Sequence, residues 1–127
     1  MVSVHGFAQG KHLLIDLYGA KHLTDLGFIQ EQLSKVAQLC GATLLDTRFH
    51  EFGENQGITG VALLAESHIS IHTWPENEYA AIDIFMCGQC NPELAITPLT
   101  TAFEATKVDV SAHARGSLPS TLAVSNQ

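Results

Sequence analysis

Three apolar segments that resemble β-strands follow one another almost without interruption in the middle of the chain. They cover residues 58–65, 67–74 and 80–86, and the longest link between them is a short polar run that begins at Pro75. Links this short cannot hold the crossover that a parallel pair of strands needs, so neighbouring segments must pair antiparallel. This feature predicts an antiparallel sheet at the centre of the fold.

The flanking sequence predicts two helices and three further strands. Apolar side chains within residues 25–40 repeat every three or four positions, which is the period of one helical face. Asn91 and Pro92 suit the start of a second helix that runs to about Thr106, with Pro98 either delaying its start or kinking it. The further strands are predicted at residues 12–18, 42–49 and 108–115.

These elements predict a single domain over residues 1–127 of the α+β class. We expect a two-layer sandwich, in which a mainly antiparallel sheet carries two principal helices on one face. A chain of 127 residues is long enough to bury such a core without disulfide bonds. Residues 1–11 are expected to form a loose leader, and the small, polar residues 116–127 a mobile tail.

Charge and composition restrict the class of protein. The net charge is −7 with only six basic residues, which argues against a nucleic acid or an anionic membrane as partner. No apolar run approaches the roughly 20 residues of a membrane helix, and the N-terminus lacks the pattern of a signal peptide. The three cysteines are too few for a disulfide framework and fit a reducing compartment. We therefore expect a cytoplasmic protein.

The central segments also carry most of the chain's reactive side chains. Ser67 begins the second segment, His72 follows on the same predicted strand, and Cys87 ends the third. If the two strands pair, a hydroxyl, an imidazole and a thiol are expected to converge. His68 lies one position after Ser67 and is expected to face the other side of the sheet.

Two of these stretches resemble a known family. ESHISIHTWPE (residues 66–76) and YAAIDIFMCG (residues 79–88) are similar to the bacterial and archaeal S-adenosylmethionine decarboxylase proenzymes. The likeness extends over about residues 11–115 and includes the stretches GKHLLIDLYG, GATLL and FHEF. Members of this family make their own pyruvoyl cofactor. The resemblance implies self-cleavage between Glu66 and Ser67, which gives chains of residues 1–66 and 67–127.

The family chemistry implies a defined series of bond changes at the cleavage site. The Ser67 hydroxyl attacks the Glu66 carbonyl and turns the amide into an ester, and β-elimination then releases Glu66 as a carboxylate. The dehydroalanine left at position 67 loses ammonia on hydrolysis and becomes a pyruvoyl group. Its keto group forms a Schiff base with the substrate amine and delocalises the electrons that departing CO2 leaves behind. This chemistry needs no metal.

The resemblance also assigns roles in cleavage and catalysis. His72 corresponds to the family's processing base, and Thr59 stands where the family commonly has a serine that assists processing through its hydroxyl. Cys87 corresponds to the proton donor that acts on the substrate carbon after CO2 has left. Two processed protomers are expected to associate as a homodimer, with active sites near their interface.

The implied substrate is S-adenosylmethionine, and the implied product donates aminopropyl groups in spermidine synthesis. Phe52 and Trp74 are expected to flank the adenine, while Glu76 accepts hydrogen bonds from the ribose hydroxyls. The sulfonium of the substrate is a cation, which suits aromatic faces and an acidic chain.

Other interpretations of the same residues stay open. Ser67 and His72 occur elsewhere as ordinary strand residues, and a buried Cys87 as a small hydrophobic residue. A pyruvoyl enzyme of the same build could act on arginine or ornithine, and a non-catalytic relative would never cleave. Cys87 and Cys90 also form a C-x-x-C motif, which is typical of thiol redox proteins and, with two distant histidines, of zinc sites.

Overall fold

The computed structural model describes residues 5–119, with the side chains of residues 8–117. Its elements are β1 (His5–Tyr18), α1 (Leu26–Leu39), β2 (Leu44–Glu51), β3 (Ile58–Leu64), β4 (Ser67–Trp74), β5 (Tyr79–Cys87), α2 (Ile96–Ala102) and β6 (Lys107–Pro119). Short 3-10 turns lie at Pro75–Asn77 and Pro92–Ala95. The predicted α+β class, an antiparallel sheet with two helices, is confirmed.

The six strands form one sheet in the order β2-β3-β4-β5-β1-β6, and every neighbouring pair is antiparallel. The three central segments therefore pair in sequence, as their short links predict. Leu64 lies opposite Ser67 across the turn between β3 and β4, and Trp74 lies opposite Tyr79 across the next turn. This register places the start of β4 and the end of β5 side by side, at the same end of the two paired strands.

Helix α1 forms where the three-and-four spacing predicts it. The Asp25 side chain caps its first turn by accepting a hydrogen bond from the Phe28 backbone N–H at 3.0 Å. Gly41, at φ 92°, takes the left-handed conformation that ends many helices. The buried helical residues Ile29, Leu33, Val36 and Ala37 pack with the inward-facing side chains of the strands in one core.

Helix α2 is shorter than the sequence predicts. A 3-10 turn occupies Pro92–Ala95, and the α-helix runs only from Ile96 to Ala102. Pro98 lies in the first turn of the helix, where its missing N–H removes no intrahelical hydrogen bond. Glu104, at φ 52°, turns the chain towards β6.

The edge strand β6 and its neighbour β1 are both longer than predicted. β1 begins at His5 and β6 continues to Pro119, because the two strands pair along most of their length, with Gly10 opposite Arg115. The expected leader and tail are therefore wrong for residues 5–11 and 116–119, which form strand. Residues 1–4 and 120–127, the rest of that prediction, lie outside the described residues.

One face of the sheet carries no helix within residues 5–119. Alternation along the strands directs a second set of side chains to this outer face. The outer face includes His12, Leu14, Val61, Leu63, His68, His72, Trp74, Tyr79 and Phe85. Leu14 and Leu63 are 37% and 45% exposed there. No helix in this part of the chain is long and apolar enough to cross a bilayer.

Candidate active site

Ser67 begins β4 directly after the two-residue turn at Ala65 and Glu66, with its side chain directed towards the core. It is 9% exposed, and the Cys87 backbone N–H donates a hydrogen bond to its Oγ at 3.1 Å. The preceding residue, Glu66, has φ 62°, a conformation that costs a non-glycine residue roughly 1–2 kcal/mol. Four other non-glycine residues within residues 5–119 share this conformation. The φ angle of Glu66 therefore does not distinguish the Glu66–Ser67 peptide bond from others, and its distinctive neighbour is the buried Ser67 hydroxyl.

Cys87 ends β5 beside Ser67, and the pairing of β4 with β5 accounts for their meeting. Cys87 lines a cavity of about 370 Å³ that Glu66 also lines, and an adjoining cavity of about 260 Å³ with Cys90 and Lys11. Burial and the neighbouring Cys87 sulfur raise the pKa of Cys90. The structure thus brings the hydroxyl and the thiol residue together, as expected.

His72 does not join them. It lies five positions after Ser67 on the same strand, which is about 17 Å at the rise of an antiparallel strand. Because five is an odd number of positions, His72 also points to the opposite face. The expectation that the imidazole converges with the other two groups within one chain is therefore wrong. Instead, Nδ1 of His72 lies 3.0 Å from Oγ1 of Thr59. Thr59 is the residue on β3 that pairs with His72 in the sheet.

A second group of predicted residues collects at the far end of β4. A cavity of about 300 Å³ lies there, lined by Phe52, Gln56, Gly57, Thr59, His72, Thr73, Trp74 and Glu76. Phe52 is 63% exposed at its mouth. Gly57 is required at this point, because a Cβ there would lie 2.3 Å from the Thr73 carbonyl oxygen. The three predicted substrate-binding residues, together with Thr59 and His72, therefore share one cavity.

Two residues that the sequence analysis did not select support this cavity. Tyr79 stacks against Trp74 with 5.2 Å between ring centroids, and its hydroxyl donates a 2.6 Å hydrogen bond to Asp16. That contact, together with burial, raises the pKa of Tyr79 to about 12. The position of Tyr79 opposite Trp74 in the predicted hairpin is the signal that could have identified it, since aromatic pairs stabilise facing strands.

The predicted residues thus form two groups at opposite ends of β4. Glu66, Ser67 and Cys87 lie at one end, and the aromatic cavity with Thr59 and His72 lies at the other. Within residues 5–119 no group of three or more His, Cys, Asp or Glu side chains is arranged to hold a metal ion.

Comparison with known proteins gives one consistent family. Residues 11–116 match the sequence profile of the S-adenosylmethionine decarboxylase family. The chain is 46% identical over 112 residues to the S-adenosylmethionine decarboxylase proenzyme of Methanococcus aeolicus, a match that covers 86% of this chain and 95% of that protein. It is 54% identical over 89 residues to the proenzyme of Prochlorococcus marinus, covering 68% and 70% of the two chains.

A solved structure resembles the fold as well. The crystal structure of the adenosylmethionine decarboxylase from Aquifex aeolicus superposes with a TM-score of 0.79 at 34% sequence identity. The match covers 94% of this chain and 98% of that one. The likeness therefore extends over nearly the whole fold.

Proposed function

Because the chain belongs to the S-adenosylmethionine decarboxylase family, we propose that it decarboxylates S-adenosylmethionine with a pyruvoyl group made from its own Ser67. The product would be the aminopropyl donor for spermidine synthesis. The observation that carries the proposal is the buried Ser67 hydroxyl beside the peptide bond that follows Glu66. Its Oγ accepts a hydrogen bond from the Cys87 backbone N–H at 3.1 Å.

The residues around that bond fit the formation of a pyruvoyl group. The hydrogen bond from Cys87 uses one lone pair of the Ser67 oxygen and leaves the other free to attack the Glu66 carbonyl. The attack forms an ester and frees the Ser67 nitrogen. β-Elimination then releases the Glu66 carboxylate, and hydrolysis of the resulting dehydroalanine releases ammonia. The neighbouring cavity of about 370 Å³ gives the water and the substrate room beside this residue.

The pyruvoyl group would supply the electron sink that loss of CO2 requires. The chain itself would supply the proton that replaces CO2 on the substrate carbon. We assign that proton to the thiol of Cys87, which lines the cavity next to position 67. Phe52 and Trp74 would hold the adenine between their rings, and Glu76 would accept hydrogen bonds from the ribose.

We further propose that a second copy of the chain completes each active site. Ser67 and Cys87 lie at one end of β4, and His72 with the nucleoside cavity lies at the other. In a two-fold dimer with the outer faces packed together, the start of β4 in one protomer can approach the far end of β4 in its partner. Each site would then combine Ser67 and Cys87 from one chain with His72 from the other.

The outer face has the composition of such an interface. Leu14 and Leu63 are exposed on it, and within residues 5–119 no other element covers them. Nε2 of His12 is shielded from solvent and lies 3.6 Å from Oδ2 of Asp83, just beyond hydrogen-bond distance. Exposed leucines on an uncovered sheet face favour burial against another molecule.

The proposal is tested by the intact mass of the purified protein. We expect two fragments, residues 1–66 and 67–127, the second without a free amino group at its terminus. Release of CO2 from carboxyl-labelled S-adenosylmethionine, compared with arginine and ornithine, would identify the substrate. A single species of 13.7 kDa in aged protein would refute self-cleavage. Preference for arginine or ornithine would keep the pyruvoyl chemistry and refute the substrate.

Replacement of Glu76 by glutamine is expected to raise KM for S-adenosylmethionine roughly tenfold, because a charged acceptor for the ribose hydroxyls becomes a neutral one. Self-cleavage should proceed as in the wild type, since no nucleoside is involved in it. Steady-state kinetics and intact mass measure the two effects. Glu31→Gln, on the exposed face of α1, is the matched control. An unchanged KM would remove Glu76 from the binding site.

A further inference from the structure

Cys87 and Cys90 form a thiol pair that the proposed reaction uses only in part. Their Sγ atoms lie 3.8 Å apart. The Cys90 backbone N–H donates to the Cys87 carbonyl at 3.0 Å, which makes residues 87–90 a β-turn. The Cα atoms at the ends of such a turn lie within about 7 Å, and disulfides span about 4.4–6.8 Å. Backbone and side chains are thus arranged for a disulfide bond.

The two thiols differ from the third cysteine in accessibility. Cys87 and Cys90 are half-buried and together line a cavity of about 260 Å³. Cys40 is 3% exposed, and burial raises its pKa to about 11. A small reagent can therefore reach the pair at the end of β5 but not the thiol in the core.

The turn that joins the two cysteines is held in place by a contact with strand β1. The Gly88 backbone N–H donates to the Gln9 carbonyl of β1 at 3.0 Å. A Cβ on Gly88 would lie 3.1 Å from the Ala8 carbonyl, so the turn lies directly against that strand. Closing the sulfur separation to the roughly 2.05 Å of a disulfide requires a movement of about 2 Å, which side-chain rotation can supply.

We propose that Cys87 and Cys90 form a reversible disulfide bond that switches the decarboxylase off. The inference rests on the proposed function, in which the Cys87 thiol protonates the substrate carbon. Sulfur bound to Cys90 carries no proton to donate. Nothing else in the turn needs to change for activity to stop.

The oxidant would be a low-molecular-weight disulfide such as oxidised glutathione. One protein thiol loses its proton, attacks a sulfur of the reagent and displaces one glutathione thiolate. The second protein thiolate attacks the resulting mixed disulfide and displaces the other. The two cysteines lose two protons and two electrons in all, and the reagent gains them as two molecules of glutathione. A dithiol such as dithiothreitol reverses the exchange.

The test uses processed protein incubated with oxidised glutathione, then denatured and alkylated. We expect the 67–127 fragment to be lighter by two hydrogen atoms and to resist alkylation, while Cys40 in the 1–66 fragment is alkylated. CO2 release should fall roughly 100-fold, the lower range of a general acid's contribution, and dithiothreitol should restore it. Cys90→Ser should keep the activity of untreated protein and never show the loss of two hydrogen atoms.

Two results would overturn the proposal. One is a fragment in which both thiols remain open to alkylation after prolonged exposure to the oxidant. The other is a complete disulfide in protein that decarboxylates at the original rate. The alkylation measurement depends on neither cleavage nor activity. It therefore shows whether the disulfide forms even in a chain that neither cleaves nor decarboxylates. Failure of the proposed function would thus be seen separately.

Discussion

Replacement of Ser67 by alanine is expected to leave one uncleaved chain without decarboxylase activity. The Oγ of Ser67 is the atom proposed to attack the Glu66 carbonyl, and it is also part of the residue that becomes the pyruvoyl group. Without it, neither the cut nor the electron sink can form. Intact mass should show a single species after prolonged incubation, and CO2 release should fall to the level of a blank without protein.

The fold should survive this substitution. Alanine removes the acceptor of one hydrogen bond, from the Cys87 N–H, which is worth about 1 kcal/mol. Thermal unfolding should therefore still show a cooperative transition close to that of the uncleaved wild type. Ser34 is half-buried on helix α1, and Ser34→Ala is a matched control that should cleave normally. A Ser67→Ala protein that still divides after residue 66 would contradict the mechanism.

The centre of the fold could be predicted from the sequence because its constraints are local. Links of a few residues between β3, β4 and β5 leave only antiparallel pairing, and the spacing of apolar residues in α1 fixes its buried face. Ser67 and Cys87 meet as a direct consequence of that pairing. These features depend on neighbours in the chain, which a sequence displays.

The ends of the sheet could not be predicted in the same way. Residues 5–11 and 116–119 form strand because β1 and β6 pair with each other across about a hundred residues of chain. Their sequences are small, polar and rich in glycine, so neither has strong strand propensity alone. Pairing supplies hydrogen bonds that local sequence does not reveal.

The position of His72 was predictable, and the sequence analysis drew the wrong conclusion. Alternation along a strand correctly placed His68 on the face opposite Ser67, and the same rule places His72 there too. The register alone would have put His72 beside Thr59 at the other end of β4. The sequence of one chain does not display the contact by which, in the proposed dimer, a second copy would bring these ends together.

A dimer that mixes two inactive variants is expected to regain cleavage in one of its chains. Alone, His72→Ala should cleave roughly 100-fold or more slowly, because it lacks the general base, and Ser67→Ala should not cleave. In a mixed dimer with shared sites, the His72→Ala chain has an intact Ser67 and receives His72 from its partner. The other site combines both substitutions and is inactive.

The pattern of fragments distinguishes shared from self-contained sites. Co-expressed chains with different affinity tags are purified through both tags, so that only mixed dimers remain, and their masses are measured. Shared sites predict that the His72→Ala chain divides after Glu66 while the Ser67→Ala chain stays whole. A mixed dimer of two differently tagged His72→Ala chains is the control and should stay largely whole. If neither chain of the first mixture divides although the dimer forms, each site is contained within one chain, and His72, about 17 Å from Ser67 on the opposite face, cannot be its base.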